Sequence, residues 1–176
     1  MTAIDIRAAV PADIAAITRI YADAVRHGTA SFEIEPPSEA EMARRFAALA
    51  AGNFPYLVAE STGAIAGFAY AGPYRERPAY RFTVEDSIYV AEPAQRRGIG
   101  RALIERLIVE AQQRGFRQMI AVIGDSRQRA STALHAAAGF RMIGTHPDVG
   151  LKFGRWLDTV MMQLSLGAGA STIPAD

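Results

Sequence analysis

Apolar residues recur at helical spacing in four stretches of the chain. After Pro11 and Asp13, which are typical of a helix start, isoleucines follow one another three residues apart. Ser38 and Glu41 have the spacing of a capping box, in which each side chain bonds the other residue's backbone at a helix N-terminus. The first expected helix begins after Pro11. The other three run from Ser38 to about Gly52, from Ile99 to about Gln113 and from Ala130 to Ala138.

Apolar stretches of strand length lie between these helices and are separated by turn residues. Ser61-Thr62-Gly63 has the composition of a hairpin turn, and Gly139-Phe140 opens a final hairpin. The expected strands are Ile4–Arg7, Tyr56–Ala59, Ala64–Gly72, Phe82–Val90, Arg117–Gly124 and, in the final hairpin, Arg141–Gly144, Leu151–Asp158 and Thr159–Leu164. This order predicts an α/β fold, with a mixed but mostly antiparallel sheet of about six or seven strands and helices on both faces.

Composition indicates a single domain. The chain has 176 residues, of which 50% are hydrophobic, and this is enough for one substantial core. We assign residues 1–166 to that domain and the Gly/Ala-rich residues 167–176 to a flexible C-terminal tail. A formal charge of +1 with interspersed charges argues against a nucleic-acid binder held by bulk electrostatics.

Several other classes of protein are disfavoured by what the sequence lacks. It contains no cysteine, which excludes disulfides, thiolate nucleophiles and thiolate metal sites, and we expect no metal. The N-terminus does not have the basic-then-apolar order of a signal peptide, and no apolar run approaches the roughly 18 residues of a membrane helix. We expect a cytoplasmic protein that binds neither membrane nor nucleic acid.

An Arg/Gly-rich loop joins the expected strand Phe82–Val90 to the helix that begins at Ile99. Its glycines let the backbone approach a ligand closely, and its arginines can donate two hydrogen bonds at once to a phosphate. The helix N-terminus adds unpaired N–H groups. The residues expected to hold a pyrophosphate are Gln95, Arg96, Arg97, Gly98, Ile99, Gly100 and Arg101. The alternative is a tight strand-to-helix turn without a ligand. No Gly-Lys-Ser/Thr follows, and the third glycine of a dinucleotide fingerprint is missing.

Two adjacent acids, Glu85 and Asp86, lie in the strand Phe82–Val90. Alternation places Thr83, Glu85, Ser87 and Tyr89 on one face and Val84, Asp86, Ile88 and Val90 on the other. A carboxylate inside such an apolar strand is costly unless it is paired or solvated. One acid could be an ordinary solvent-facing side chain, but two acids directly before the Arg/Gly loop favour a functional role.

Two loops are candidate walls of a substrate site. The loop Thr29–Glu33 carries Phe32, an aromatic that we expect to form a lid or pocket wall. The loop Pro73–Tyr80 contains Arg75 and Arg77. By composition it is either a solvated connection or an anion-binding wall, and the residues alone leave both interpretations open.

These motifs together resemble the GNAT N-acetyltransferases, and in particular their phosphinothricin/methionine sulfoximine acetyltransferase branch. The segment Gln95–Arg101 is similar to the family's Q/R-x-x-G-x-G/A motif for the pyrophosphate of acetyl-CoA. Ala121–Ser126, Ala130-Ser131, Leu134-His135 and Gly139-Phe140 recur in the order found in that branch. The resemblance extends from about Ile4 to Leu164.

The resemblance implies a GNAT acyl-CoA N-acyltransferase fold and a cofactor site. In the family, the strand Arg117–Gly124 splays from the central strand and admits the pantetheine arm of acetyl-CoA. Backbone N–H groups around Ile88, Tyr89 and Val90 would stabilise the oxyanion. Relatives often have an asparagine before Ala130-Ser131, where this chain has Arg127, Gln128 and Arg129. Gln128 and Ser131 are therefore the expected cofactor contacts there.

The resemblance also implies acetyl transfer to the α-amine of a small amino acid or analogue by direct attack. Glu85 matches the family's general base, and Asp86 is the second candidate for base and acceptor site. His135 matches a histidine with a proposed catalytic role, although a lone helical histidine is more often structural. Arg75, then Arg77, would bind the acceptor's carboxylate, and Lys152 and Trp156 are weaker candidates. The family also implies a homodimer through the final hairpin.

Three alternatives remain open at this stage. The chain could acetylate a protein N-terminus or lysine, although Arg75 and Arg77 suit a free carboxylate. It could acetylate an aminoglycoside or polyamine, although such a cation would need an acidic pocket. It could also be a non-catalytic acyl-CoA-binding module, which the acid at position 85 argues against.

Overall fold

The computed structural model describes residues 4–174, which form one seven-stranded sheet with four α-helices. The strands are β1 (Ile4–Ala8), β2 (Tyr56–Ser61), β3 (Ala64–Pro73), β4 (Thr83–Val90), β5 (Gln118–Gly124), β6 (Arg141–Lys152) and β7 (Arg155–Ser165). The helices are α1 (Ile14–His27), α2 (Glu39–Ala51), α3 (Ile99–Gln113) and α4 (Arg129–Ala137). The strand order is β1-β2-β3-β4-β5-β7-β6; β4 and β5 are parallel, and the other neighbours are antiparallel. The predicted α/β fold with a mixed, mostly antiparallel sheet is confirmed.

Helices cover both faces of the sheet, as the alternating apolar positions of the strands require. On one face, Ile17 and Val25 of α1 and Met42 of α2 pack against Val58 and Phe68. On the other face, α3 buries a stripe of three aliphatic side chains, Leu103, Ile104 and Leu107, each with no exposed surface. Complete burial of such a side chain contributes roughly 1.5–3 kcal/mol. Two cores therefore enclose the centre of the sheet.

The start of α2 corrects one detail of the prediction. The Ser38 hydroxyl accepts a hydrogen bond from the Glu41 N–H at 3.2 Å, so the helix is capped. The Glu41 carboxylate does not return to the Ser38 backbone, because Arg44 and Arg45 bind it at 2.7 and 2.8 Å. The predicted capping box is therefore only half formed.

Among residues 4–174, no helix has both the length and the apolar character needed to cross a bilayer.

The final hairpin is longer than the sequence pattern predicts. β6 continues through Pro147 because an irregularity in its pairing with β7, between His146 and Gly150, leaves proline outside the regular ladder. The turn is Phe153-Gly154, and both residues have positive φ (52° and 71°), as in the hairpin turns that match strand twist. β6 is consequently a long edge strand of the described sheet.

The residues after β7 fold back onto the domain as far as the structure describes them. Leu166 is fully buried. The Arg117 guanidinium donates to the Gly169 carbonyl at 3.4 Å and to the Thr172 hydroxyl at 3.1 Å. Residues 167–170 are thus a turn, and the segment contacts the body of the domain as far as Thr172, whereas the flexibility predicted for residues 167–176 stays a prediction.

Candidate active site

The parallel strands β4 and β5 separate at the centre of the molecule. They pair from Thr83↔Gln118 to Asp86↔Ala121, and their pairing ends there. β4 continues to Val90 and stays paired on its other side with β3, without a bulge. Beyond Asp86, the edge of β4 that faces β5 therefore has free backbone groups, the condition for adding an extended ligand as an extra strand.

The Arg/Gly loop lies at the open end of this gap and has the predicted backbone character. Arg96 and Gly98 adopt left-handed φ angles of 58° and 86°, and α3 begins immediately after Gly98. Within residues 4–174, the N–H groups of Arg96, Arg97 and Gly98 make no hydrogen bond. A Cβ on Gly98 would meet no atom within 4 Å, so the space beside it is open. Unpaired N–H groups and open space are the properties that a pyrophosphate site needs.

The side chains of the loop differ in what they bind. The Gln95 amide donates to the Val90 carbonyl at 3.3 Å and so ties the loop to the end of β4. Arg101 forms an exposed ion pair with Glu105 at 2.7 Å. The exposed side chains of Arg96 and Arg97 have no ion pair with a described residue, which leaves these two guanidinium groups for an anion.

A cavity of about 70 Å³ lies in the gap between β4 and β5. It brings together candidates from three separate segments of the sequence. The lining includes Asp86, Ser87, Ile88 and Tyr89 of β4, Val122 and Ile123 of β5, and Gln128, Ser131 and His135 at or in α4. The predicted cofactor contacts Ile88, Tyr89, Gln128 and Ser131 therefore share one cavity, which we call the gap cavity, whereas Val90 does not line it.

Asp86 and His135 form a buried pair at the edge of this cavity. His135 Nε2 lies 2.9 Å from Asp86 Oδ2, and their side chains are 5% and 2% exposed, respectively. His135 Nδ1 lies 2.8 Å from the Ser131 carbonyl oxygen. Burial lowers the pKa of His135, but the bonds to Asp86 and Ser131 outweigh it, so the pKa is raised above its usual 6.5. Both ring nitrogens are thus engaged.

A second cavity, of about 290 Å³, adjoins the gap cavity, and Ala30, Ser87, Tyr89, Val122 and Gly124 line both. Its lining residues include Tyr21, Ser31, Phe32, Tyr70, Glu85, Ser87, Tyr89 and Thr159. Burial raises the pKa of Glu85 above its usual value; the charge of Asp86 raises it further, and Arg75 opposes both. We call this space the acceptor cavity. It holds a carboxyl of increased basicity between aromatic walls.

Hydroxyl groups of the acceptor cavity form a network that the sequence did not reveal. The Tyr21 hydroxyl lies 2.9 Å from Ser31 Oγ and donates to Glu33 at 3.0 Å, and Arg45 binds the same carboxylate. Burial raises the pKa of Tyr21 to about 12. Tyr21 belongs to the apolar stripe of α1 and reads as core in the sequence. The positions of Ser87 and Tyr89 in this cavity, by contrast, could be predicted, because strand alternation places both residues on the same face of β4 as Glu85.

Phe32 forms one wall of the acceptor cavity, as predicted, and its ring is 38% exposed. The ring lies against two glycines. A Cβ on Gly124 would lie 2.6 Å from Phe32 Cε1, and one on Gly150 would lie 2.6 Å from Cδ2. Any side chain at either position would displace the ring.

The loop that carries Phe32 is held by polar contacts from both sides. Lys152 is 3% exposed, and its ammonium donates to the Ser31 carbonyl at 2.7 Å. The Thr29 hydroxyl donates to Asp125 at 3.2 Å and accepts from the Gln128 amide at 3.1 Å. Lys152 therefore anchors the loop from outside the acceptor cavity. The Gln128 amide N–H is engaged with Thr29, although the residue lines the gap cavity.

The structure does not bring every predicted acceptor residue to Glu85. Asp86 lies on the opposite face of β4, because β4 has no bulge, and its carboxylate belongs to the gap cavity. Arg75 and Arg77 line a surface depression with Tyr74 and Tyr80 and do not line the acceptor cavity. Arg75 stacks on the Tyr74 ring at 5.0 Å and acts on Glu85 through its charge.

These features define a class of protein before any comparison is made. A splayed parallel strand pair, an anion-binding loop at a helix N-terminus and a buried carboxyl beside the gap together suit an acyl-CoA-dependent acyltransferase. A family model described as an acetyltransferase (GNAT) domain matches residues 6–161. The chain therefore belongs to the GNAT acetyltransferase family and is an acetyl-CoA-dependent N-acetyltransferase.

Individual relatives agree with this family over nearly the whole chain. Phosphinothricin N-acetyltransferase of Alcaligenes faecalis is 52% identical over 162 residues, which cover 92% of this chain and 82% of that protein. The L-methionine sulfoximine/L-methionine sulfone acetyltransferase of Salmonella typhimurium is 41% identical over 166 residues, 94% of this chain and 96% of that protein. The crystal structure of a phosphinothricin acetyltransferase from Sinorhizobium meliloti in complex with AcCoA matches with a TM-score of 0.95 and 48% identity, covering 98% of this chain and 94% of that chain. The predicted family and branch are confirmed.

Proposed function

We propose that this enzyme transfers the acetyl group of acetyl-CoA to the α-amine of phosphinothricin, methionine sulfoximine, methionine sulfone or a similar small amino acid. The observation that carries the proposal is the position of Glu85. Glu85 lines the acceptor cavity of about 290 Å³, which adjoins the gap cavity expected to take the co-substrate. The relatives that act on these acceptors supply the substrate class.

Glu85 serves as the general base. An α-amine with a pKa near 8 is partly protonated at neutral pH and cannot attack while protonated. Glu85, directly or through one water, takes up the proton that the amine loses. Burial raises the pKa of Glu85 and so makes its carboxylate a stronger base than an exposed glutamate.

Arg75 binds the acceptor's carboxylate, with Arg77 as the second candidate. An α-amino acid carries its amine on the carbon next to its carboxylate, so a clamp on one group fixes the distance of the other from Glu85. Within residues 4–174, neither guanidinium has an ion-pair partner, and the charge of Arg75 already acts on Glu85. A planar guanidinium fork suits a carboxylate.

The acetyl group passes directly from sulfur to nitrogen. Acetyl-CoA would place its pyrophosphate on the Arg/Gly loop and its pantetheine arm along the free edge of β4. The amine attacks the thioester carbon, and backbone N–H groups around Ile88–Val90 stabilise the oxyanion. To donate a proton directly to the departing thiolate, His135 would have to give up the hydrogen bond that one of its ring nitrogens makes with Asp86 or with Ser131. We therefore assign His135 the role of counter-ion to Asp86.

The enzyme is further proposed to be a cytoplasmic homodimer. Acetyl-CoA is an intracellular metabolite, which supports the location. The edge strand β6 and the hairpin turn expose large apolar side chains, an arrangement that favours a partner surface. These residues, each at least 52% exposed, are Met142, Ile143, Val149, Leu151, Phe153 and Trp156.

A panel of acceptors with acetyl-CoA tests the proposed activity through release of free thiol. Phosphinothricin, methionine sulfoximine and methionine sulfone should each turn over, whereas their carboxamides, an N-terminal peptide and an aminoglycoside should be poor acceptors. Efficient acetylation of the peptide or the aminoglycoside, with no turnover of free amino acids, would refute the proposed acceptor class.

Gly98→Val tests the position of the co-substrate, because it puts a branched side chain where the pyrophosphate should approach. The matched control is Gly115→Val: Gly115 also has positive φ (84°) and open space around its Cβ, and it lies at the other end of α3. Gly98→Val should raise the KM for acetyl-CoA far more than that for the acceptor, and Gly115→Val should change neither. Unchanged acetyl-CoA binding in folded Gly98→Val would remove the loop from the site.

A further inference from the structure

The loop of residues 29–33, which we call the Phe32 loop, is positioned by side chains. Within residues 4–174, no backbone N–H or carbonyl group of this loop forms a hydrogen bond with another backbone group. Segments with few backbone hydrogen bonds belong to the least stable parts of a fold. The side-chain contacts of the loop therefore decide where the Phe32 ring lies in the wall of the acceptor cavity.

The carboxylate of Asp125 joins this loop to two other segments. Its Oδ2 accepts hydrogen bonds from the Thr29 hydroxyl at 3.2 Å and from the guanidinium of Arg155, the first residue of β7. Its Oδ1 accepts from the Arg127 N–H at 3.1 Å, in the connection between β5 and α4. The bond from Arg155 lowers the pKa of Asp125, although burial opposes it, so the carboxyl is charged at neutral pH. One buried charge thus holds three segments together.

The backbone of Asp125 does not depend on this carboxylate. Its φ angle is 69°, a left-handed conformation that aspartate tolerates and that glycine adopts without strain. The Asp125 N–H donates to the Asp158 carbonyl at 2.8 Å, and the Asp125 carbonyl accepts from the Gln128 N–H at 2.9 Å. Both bonds would remain in Asp125→Gly, which therefore removes the carboxylate without straining the turn.

The Phe32 loop lies directly against the end of β5, beside both cavities. No room is left for a Cβ on Gly124, because it would overlap the Thr29 carbonyl oxygen and the Phe32 ring. Gly124 lines both cavities, and so does Ala30, the residue after Thr29. A displacement of Thr29 would therefore change the shape of the acceptor cavity.

We propose that Asp125 is a positioning residue for the acceptor: through Thr29 it holds the Phe32 loop against the end of β5 and so fixes one wall of the acceptor cavity. The inference rests on the proposed function, which places the amino acid in that cavity. Asp125 lines neither cavity and acts through the loop alone. Its effect should therefore appear in binding of the acceptor and not in the chemistry at Glu85.

Thiol-release kinetics of Asp125→Gly test this role. The KM for the acceptor should rise about tenfold, as expected for loss of a hydrogen bond to a charged group. Both kcat and the KM for acetyl-CoA should stay near the wild-type values, because Glu85 and the Arg/Gly loop are unchanged. Thr29→Val replaces the hydroxyl by a methyl group and should raise the acceptor KM similarly, whereas Thr29→Ser should keep the wild-type value. The double variant should show no further rise over Asp125→Gly, since both substitutions break the same contact.

Asp148→Gly is the matched control. Asp148 is also an aspartate with a positive φ angle (53°), but its side chain is exposed, and its carboxylate bonds no residue in the described part of the chain. This variant should keep the wild-type acceptor KM. Cleavage by chymotrypsin after Phe32 gives a readout that needs no acceptor, because it requires the loop to open. Cleavage there should be faster in Asp125→Gly and Thr29→Val than in wild type and Asp148→Gly.

An unchanged acceptor KM in folded Asp125→Gly, or cleavage after Phe32 at the wild-type rate, would overturn the proposal. If Asp125→Gly does not fold, Thr29→Val and Thr29→Ser decide through the same two measurements. A wild-type enzyme that acetylates none of the proposed amino acids would refute the proposed function instead, and the cleavage rates would still show whether Asp125 holds the loop.

Discussion

Glu85→Gln should separate activity from stability in this enzyme. The substitution keeps the size of the side chain and removes its ability to take up a proton. Glu85 is the one carboxyl group among the described residues that line the acceptor cavity, and that lining contains no histidine. No neighbour can therefore replace the lost base, and solvent water would be the remaining proton acceptor.

The expected loss of rate follows from this isolation. A positioned general base contributes about 10²–10⁴-fold to a rate. At 1.36 kcal/mol for each factor of ten, the barrier should rise by about 3–5 kcal/mol. The acidic limb of the pH profile of kcat should disappear with the carboxyl. In wild type that limb should lie above pH 4.5, the usual pKa of a glutamate, because burial and Asp86 raise the pKa of Glu85.

Stability should change in the opposite direction. Because its pKa is higher in the folded state, Glu85 binds its proton more tightly there than in the unfolded chain. The stability that this provides is fully present below the unfolded pKa and is lost as pH rises through the folded pKa. Glutamine stays uncharged throughout. Glu85→Gln should therefore melt at a higher temperature than wild type at pH 8, and the difference should vanish at acid pH.

The assay combines thiol release at saturating acetyl-CoA, over a range of pH, with calorimetric melting at the same pH values. Glu60→Gln is the matched control, since Glu60 is a half-buried strand glutamate that bonds Arg7 at 3.4 Å, outside both cavities. It should keep kcat and gain no stability. A Glu85→Gln enzyme within tenfold of the wild-type kcat would refute the assignment of the base.

Three further substitutions test the surroundings of the site. Arg75→Lys keeps the charge but loses the planar guanidinium group, so kcat/KM for the acceptor should fall about tenfold or more. The variant should also distinguish less strongly between the acceptor and its carboxamide. If both enzymes distinguish equally between these two compounds, Arg77 and not Arg75 binds the carboxylate. Gly150→Ala puts a Cβ into the Phe32 ring, closer than a side chain can lie, so the KM for the acceptor should rise while that for acetyl-CoA stays constant. Light scattering should find a dimer for wild type and a monomer for Leu151→Glu, because Leu151 is 58% exposed on the edge strand; a wild-type monomer would contradict the proposed interface.

Local patterns predicted the elements of this fold well. The hairpin β2–β3, helix α3 and the alternation of β4 all depend on residues close in sequence, and the structure confirms each. Alternation correctly separates Val84, Ile88 and Val90, which pack with α3, from Tyr89, which packs with α1. The same rule places Glu85 and Asp86 on opposite faces.

Contacts between distant segments could not be predicted in the same way. The His135–Asp86 bond joins residues 49 positions apart and depends on how α4 docks against β4. The contact of Lys152 with the Ser31 carbonyl spans 121 positions and depends on how the final hairpin lies beside the loop of Phe32. A charged side chain gives no local sign that it will be buried, and Lys152 is a weak substrate candidate only through the family resemblance.

The adjacent acids of β4, Glu85 and Asp86, differ in what surrounds their carboxyl groups. Both carboxyls are substantially removed from solvent, but His135 compensates Asp86, whereas no cation among residues 4–174 bonds Glu85. Burial without such a partner raises the pKa of Glu85, which suits a base. The unbulged pairing of β4 with β3 keeps the two side chains on opposite faces, so Glu85 lines the acceptor cavity and Asp86 lines only the gap cavity. An inserted residue between Val84 and Glu85 would move Glu85 to the opposite face, away from the acceptor cavity, and kcat measured by thiol release should therefore fall.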